Sequence, residues 1–182
     1  YVIKNGSCNI RLKIYYLVIS TFCIISGQAL AENFVSNNAT KYAMVTGASR
    51  GIGKAIANEL WDNGYSLILI SISDLKNVRN GFSVKANQNI YLYEVDITND
   101  KDVDLIFKQL SKQNININLL VNNAGTFNSG TAELSTDALR HIINTNLVAA
   151  HNLVRHVLPA MKKAHDGYII NIGSIAGNNA IS

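Results

Sequence analysis

The stretch AMVTGASRGIG, residues 43–53, decides the fold. Three apolar residues lead into Thr46, and Gly47, Gly51 and Gly53 then punctuate a turn that opens an apolar-periodic helix. This order predicts a strand, a glycine-rich turn and the first turn of a helix. A helix N-terminus carries unpaired N–H groups and a partial positive charge, so this turn is a candidate cradle for a diphosphate.

Beyond this stretch, apolar runs of strand length alternate with amphipathic helices. The predicted strands lie at 66–72, 90–95, 118–121 and 168–173, and the predicted helices at 51–63, 100–112 and 136–164, the last kinked at Pro159 and ended by Asp166-Gly167. This alternation is typical of βαβ units. We therefore expect an α/β fold, a Rossmann-like doubly wound parallel sheet with about five of its strands present and incomplete at the C-terminus.

Parallel α/β sheets bind ligands beyond the carboxyl ends of their strands, where the strand order reverses. The glycine turn, Asp96, the turn Asn122–Gly125 and Ser174 all follow predicted strands. We expect these segments to converge in space although they are far apart in the sequence.

Composition limits the function classes. The chain has 182 residues, of which 48% are hydrophobic and 15% charged, which suits one domain with a core. The formal net charge of +4 is mild and its lysines and arginines are scattered, so we expect no nucleic-acid partner. Cys8 and Cys23 precede the predicted domain, and we expect neither thiol chemistry nor a metal site.

Residues 1–31 have the layout of a targeting segment. Basic residues precede an apolar run from Ile14 to Ile25, and Ala29-Leu30-Ala31 fits a cleavage site, which predicts a signal peptide. A membrane anchor and a spurious upstream translation are the alternatives. Residues 32–41 form a polar linker, and 42–182 the domain. The segment, if genuine, implies export or membrane association.

Five motifs in this order resemble the short-chain dehydrogenase/reductase family over residues 41–182. They are TGASRGIG at 46–53, Asp96 with Ile97, the NNAG sequence at 122–125, Asn146 in NTNLVAA and Ser174 in IINIGSIAG. Taken singly, Asn123 fits an ordinary turn residue and Ser174 a strand-end serine. The resemblance implies an oxidoreductase that transfers a hydride between NADP(H) and a small carbonyl or alcohol substrate, as a homo-oligomer built through the long helix. The supply of nicotinamide cofactors favours the cytoplasm over export.

The same resemblance assigns roles to individual residues. It implies that Asn146 and Ser174 are catalytic, Ser174 holding the substrate oxygen and Asn146 supporting a water-linked proton path. It also implies cofactor contacts at Gly47, Ser49, Arg50, Gly51, Ile52, Gly53, Asp96, Ile97, Asn123, Ala124 and Gly125.

Charge at the end of the second domain strand predicts the choice of cofactor. A carboxylate there would bind the ribose 2′-OH of NAD and repel the 2′-phosphate of NADP. Ser71 holds that position and is neutral, while Arg50 in the glycine turn offers a guanidinium that suits a phosphate. We therefore expect NADP. Ile72, where a second basic residue is common in NADP-preferring members, and Asp74 keep NAD possible.

The family's Tyr-x-x-x-Lys pair, in which the Lys cation lowers the pKa of a proton-transferring Tyr, follows the catalytic Ser. None of the eight tyrosines among the 182 residues has Lys four positions on. We therefore interpret the sequence as truncated before this pair, with a catalytically inactive nucleotide-binding remnant as the alternative to an active oxidoreductase.

Overall fold

A parallel sheet forms the centre of the molecule. The computed structural model describes residues 11–19, 40–127 and 134–174. In these residues six parallel strands are ordered β1-β6-β5-β2-β3-β4. Their bounds are β1 Arg11–Ile19, β2 Tyr42–Thr46, β3 Ser66–Ser71, β4 Ile90–Glu94, β5 Ile117–Asn122 and β6 Asp166–Ser174. The order reverses between β2 and β5, so the expected doubly wound fold is confirmed.

Helices cover both faces of the sheet. They are α1 Gly51–Asp62, α2 Leu75–Arg79, α3 Asp100–Lys112, α4 Thr136–Ile143 and α5 Ala150–Ala164, with a π-helical turn, Asn144–Ala149, between the last two. On β2, Ala43 and Val45 face α1, whereas Met44 faces α3 and α5. All three are fully buried, which explains why the strand is a continuous apolar run rather than an alternating one.

The N-terminal segment contributes one strand of the sheet. Residues 11–19, expected to belong to a signal peptide or anchor, pair in parallel with β6 from Arg11 opposite Asp166 to Ile19 opposite Ser174. The apolar run is rich in β-branched and aromatic residues, which favour strands. The rest of residues 1–31 lies outside the described residues, and the targeting interpretations stay predictions.

The long helix predicted at 136–164 is interrupted, and not where we expected. The helix continues through Pro159, while the irregular turn lies earlier, at Asn144–Ala149. The helix also ends before Asp166-Gly167, the predicted end, because His165 adopts the left-handed conformation (φ 52°) that terminates α5. Gly167 instead lies in β6, where a Cβ would collide with Met161. Close packing of helix on strand, not chain termination, explains this glycine.

Candidate functional site

The carboxyl edge of the sheet gathers the predicted site residues. β2, β3, β4, β5 and β6 run parallel, so the segments that follow them emerge at one edge. The segments are the glycine turn after β2, Ser71 at the end of β3, Asp96 after β4, the turn Asn122–Gly125 after β5 and Ser174 at the end of β6. The switch point between β2 and β5 places the first and fourth of these side by side.

Thr46 joins the glycine turn to the turn after β5. Its Oγ1 accepts hydrogen bonds from the backbone N–H groups of Asn123 and Ala124, each at 3.0 Å, and donates to the Val121 carbonyl at 3.4 Å. The Asn123 Nδ2 in turn donates to the carbonyls of Thr46 and Gly47 at 3.0 and 3.2 Å. Thr46 is buried, so these bonds form a clamp that is shielded from water.

Two glycines make this clamp possible. Gly47 has φ 64°, and a Cβ there would lie 2.9 Å from the Ala124 Cα. A Cβ on Gly53 would collide with the Gly47 carbonyl oxygen and the Asn123 side chain. The two turns therefore touch through backbone, and side chains at either position would force them apart.

The first turn of α1 is open to an anion. Arg50 occupies the N-cap position in an extended conformation, no side chain caps the helix, and its first turn contains no acidic residue. Gly51 follows with φ 57° and has nothing within 4 Å of a built Cβ. The start of α1 thus has no side-chain cap, and Gly51 has open space around it beside the exposed Arg50, an arrangement that suits a phosphate.

The end of β3 is joined to the glycine turn by two hydrogen bonds. The Ala48 N–H donates to the Ile70 carbonyl at 3.2 Å, and the Ser71 Oγ donates to the Ser49 Oγ at 3.0 Å. Ser71 is buried and carries no charge, so no carboxylate stands at this position. The Asp74 carboxylate, which kept NAD possible, accepts a hydrogen bond from Asn77 Nδ2 at 2.5 Å.

Asp96 and Ile97 are placed differently from one another. The Asp96 Oδ1 accepts from the N–H and the hydroxyl of Thr98, both at 2.8 Å, in a local turn on the exposed edge. The Ile97 side chain is 6% exposed and packs into the core on the α3 side. Of the pair, only Asp96 presents a side chain to the edge, and a cofactor contact at Ile97 would have to use the backbone.

Asn146 lies on the π-helical turn and binds the chain beyond the NNAG sequence. Its Oδ1 accepts from the Thr126 N–H at 2.8 Å, and its Nδ2 donates to the Thr126 carbonyl at 2.9 Å. The Oδ1 and the Nδ2 each make one hydrogen bond to the Thr126 backbone, so the side chain holds the chain that follows Gly125.

Ser174 is the last residue of β6 and is exposed at the same edge. The tyrosines with shifted pKa lie elsewhere. Burial raises the pKa of Tyr42 and Tyr65, which lie at the amino ends of β2 and β3, and that of Tyr93 within β4. None of the three has the lowered pKa that a proton-transferring tyrosine of this family requires.

A cavity of about 400 Å³ lies at the opposite, amino-terminal edge of the sheet. It is bounded by Trp61 at the end of α1, by Arg79, and by residues 80–91 leading into β4. In the described part of the chain, no three metal-binding side chains cluster, and no helix is both long and apolar enough for a membrane span.

Comparison with known proteins agrees with the geometry. The family model for short chain dehydrogenases matches residues 41–182. The 3-oxoacyl-(acyl-carrier-protein) reductase FabG of Vibrio harveyi is 35% identical over 138 residues, covering 75% of this chain and 56% of that protein. The very-long-chain 3-oxoacyl-CoA reductase of Rattus norvegicus is 34% identical over 153 residues, covering 80% and 48%. The chain thus spans about half the length of these relatives.

Solved structures show the same likeness. L-sorbose reductase from Gluconobacter frateurii, complexed with NADPH and L-sorbose, has a TM-score of 0.73 at 27% identity, covering 79% of this chain and 56% of that one. A 4-hydroxyisoleucine dehydrogenase complexed with NADH has a TM-score of 0.69 at 26% identity, covering 78% and 58%. With the clamped glycine turn, the open start of α1 and the family match over 41–182, the chain belongs to the short-chain dehydrogenase family.

Proposed function

We propose that the protein is an NADP(H)-dependent oxidoreductase that transfers a hydride between the nicotinamide and the carbonyl or alcohol carbon of a small molecule. The observation that carries this proposal is the uncapped first turn of α1 beside Arg50, which offers N–H donors and a guanidinium to phosphate groups. Both NADPH-bound and NADH-bound relatives resemble the chain, so the preference for NADP rests on its own charges.

Different groups of the chain would bind different parts of NADP. The N–H groups at the start of α1 would hold the diphosphate, and Arg50 would hold the 2′-phosphate through two parallel hydrogen bonds. The buried Ser71 neither repels that phosphate nor offers the carboxylate that the ribose of NAD requires. The clamp of Thr46 and Asn123 fixes the turn before a ligand arrives.

When bound, the nicotinamide would supply or accept the hydride. The Ser174 hydroxyl would hold the substrate oxygen beside it, and the Asn146 backbone would support a water that passes the proton onward. The acid in this scheme is the tyrosine of a Tyr-x-x-x-Lys pair, which the 182 residues do not contain. We accordingly expect these residues alone to bind NADPH without oxidising it in the presence of any carbonyl substrate.

Substitution of Arg50 tests the charge argument. Arg50→Ala removes a charge-assisted hydrogen bond, which we expect to weaken NADPH binding about 10- to 100-fold and NADH binding little, measured by calorimetry. Lys112→Ala removes the same charge at the far end of α3 and should leave both affinities unchanged. An equal loss for NADPH and NADH would contradict the preference for NADP.

A nucleotide-binding protein without catalysis is the second candidate. The observation that favours it is the same cofactor turn, which accounts for nucleotide binding and not for proton transfer. NADPH binding and NADPH oxidation, measured on one sample, test this candidate. Both candidates predict binding without oxidation for these residues, and oxidation by the 182 residues would eliminate the second.

We further propose that the protein forms a homo-oligomer through α4 and the π-helical turn. Leu139, Ile143 and Leu147 follow one another at helical spacing and are 47%, 43% and 65% exposed. We expect the double variant Leu139→Lys/Leu147→Lys to sediment as a monomer, while Leu105→Lys, at a similarly exposed leucine on α3, retains the original mass. A monomeric unsubstituted protein would contradict this proposal.

A further inference from the structure

Two buried polar atoms near the carboxyl edge lack a hydrogen-bond partner among the described residues. They are the Oδ1 of Asn122 and the Oγ1 of Thr145. Asn122 is 6% exposed, and its Nδ2 donates to the Asn171 Oδ1 at 2.9 Å across β5 and β6. Its amide is therefore satisfied at one end only. A buried acceptor without a donor is costly, so each such atom requires a physical explanation.

Both atoms lie on the α5 side of the sheet. Leu120 and Ile169 belong to the core cluster on that side, and Asn122 and Asn171 stand two residues further along the same strands, which returns them to the same face. Ala149 belongs to this cluster as well. Thr145 precedes it by about one helical turn, so we expect its side chain to face the same layer, nearer the carboxyl edge.

The chemistry of the two atoms is complementary to one ligand. A carbonyl oxygen only accepts hydrogen bonds, whereas a hydroxyl both donates and accepts. A threonine within a helix usually donates to the carbonyl four residues earlier, and the Thr145 hydroxyl does not. A water molecule can donate to the amide oxygen and accept from the hydroxyl, and buried waters typically bridge such otherwise unsatisfied groups.

We propose that Asn122 and Thr145 bind one buried water molecule between them. This water links the carboxyl end of β5 to the π-helical turn. The same turn carries Asn146, which binds the Thr126 backbone on its outer side. The turn is then held at two points, one buried and one exposed, and the water helps to keep its irregular geometry. This inference does not depend on the proposed function, because it concerns hydration of the apo protein.

The direction in which the melting temperature changes in Thr145 variants tests the proposed water site. Thr145→Val keeps the shape of the side chain and removes the hydroxyl. If water bridges the two atoms, the variant should melt about 2–4 °C lower, while Thr145→Ser, which keeps the hydroxyl, should stay within about 1 °C. The exposed Thr136→Val is the matched control and should not change the melting temperature. A Thr145→Val variant that melts at the same or a higher temperature would overturn the proposal.

A double variant without the amide pair shows whether Asn122 and Thr145 share the water. In Asn122→Leu/Asn171→Leu, which removes the amide pair together, we expect Thr145→Val to cause no further lowering of the melting temperature. An undiminished effect there would overturn the shared site. If this background does not fold, a high-resolution crystal structure of the unsubstituted chain decides. Ordered water within hydrogen-bond distance of both atoms supports the site, and its absence or a side chain in that position overturns it.

Discussion

Helices α1 and α3 begin at the same edge of the sheet, one after β2 and the other after β4, yet their first turns are opposite in character. In α3 the Asn99 side chain accepts from the Lys101 N–H at 3.2 Å, and Asp100 and Asp102 add negative charge. In α1 the cap residue is Arg50, without a side-chain cap and without an acid in the first turn. The start of α3 thus has a side-chain cap and acids that offset its positive end, whereas the start of α1 has neither and is the better site for an external anion.

The comparison shows that position in the fold does not make a binding site. A doubly wound sheet directs several helix N-termini to one edge, but at the start of α3 the Asn99 side chain already accepts from one of the free N–H groups. Among the helices that the structure describes, α1 alone combines an uncapped start with glycines that let the neighbouring turn approach. Under the proposed function, the preference of this edge for a diphosphate comes from the absence of a side-chain cap and of an acid at the start of α1.

Adding a side chain at the buried glycine of the α1 turn should have the largest effect on stability and binding. Gly53→Ala places a Cβ against the Gly47 carbonyl and the Asn123 side chain. We expect a loss of about 3 kcal/mol in the free energy of unfolding and no detectable NADPH binding, since overpacking forces the backbone to shift. Urea denaturation and calorimetry measure the two. Gly81→Ala, where a Cβ meets nothing closer than 3.4 Å, is the control, and equal losses would refute the steric argument.

Breaking the clamp behind the turn should cost somewhat less. Thr46→Val keeps the volume but removes the acceptor for the N–H groups of Asn123 and Ala124. We expect destabilisation of about 2 kcal/mol, because buried donors lose their partner. Thr46→Ser restores the hydroxyl and should recover most of it in the same denaturation experiment. If both variants lose equally, the methyl group and not the hydrogen bonds holds the turns.

Giving α1 the cap that α3 has should separate binding from stability. Arg50→Asp places a carboxylate at an N-cap whose extended backbone suits capping. We expect the free energy of unfolding to rise by about 1 kcal/mol, while NADPH binding weakens at least about tenfold because the donors are filled and the charge is reversed. Thermal melting and calorimetry on one sample test this. Stabilisation with unchanged binding would show that the phosphate lies elsewhere.

Removing the cap of α3 should have the smallest effect. Asn99→Ala leaves the Lys101 N–H without its acceptor, and we expect a loss of about 1 kcal/mol in the free energy of unfolding. NADPH affinity should not change, because this helix end takes no part in binding. A loss of affinity comparable to that of Arg50→Asp would contradict the distinction between the two helix starts.

Most of the fold could be predicted from the sequence because its signals are local. The five domain strands and the helices α1 and α3 follow from apolar runs and from helical periodicity, and their observed bounds agree within a few residues. The positions of the two left-handed glycines in the turn follow from the same short segment. These signals depend on neighbours in the chain and need no knowledge of packing.

Parts of the candidate site could not be predicted, because their partners are distant in sequence. The Thr46 hydroxyl accepts hydrogen bonds from Asn123 and Ala124, which lie 77 and 78 positions further along the chain. Only the pairing of β2 with β5 brings these residues together. The bond between Ser49 and Ser71 requires β3 beside the turn. The π-helical turn at Asn146 has no local sequence signal of its own, and it precedes the proline at which the sequence predicts the irregularity.

By itself, the sequence determined the α/β alternation, the glycine turn, and the neutral Ser71 and basic Arg50 beside that turn. Backbone preference and charge are properties of residues taken one at a time. The tertiary structure decided which donors are already satisfied. Asn99 caps its helix and Arg50 does not, Asn146 spends its amide on Thr126, and Asn122 keeps a buried oxygen unpaired within the described chain. Hydrogen bonding is a relation between two groups, so only packing can tell which group has its partner.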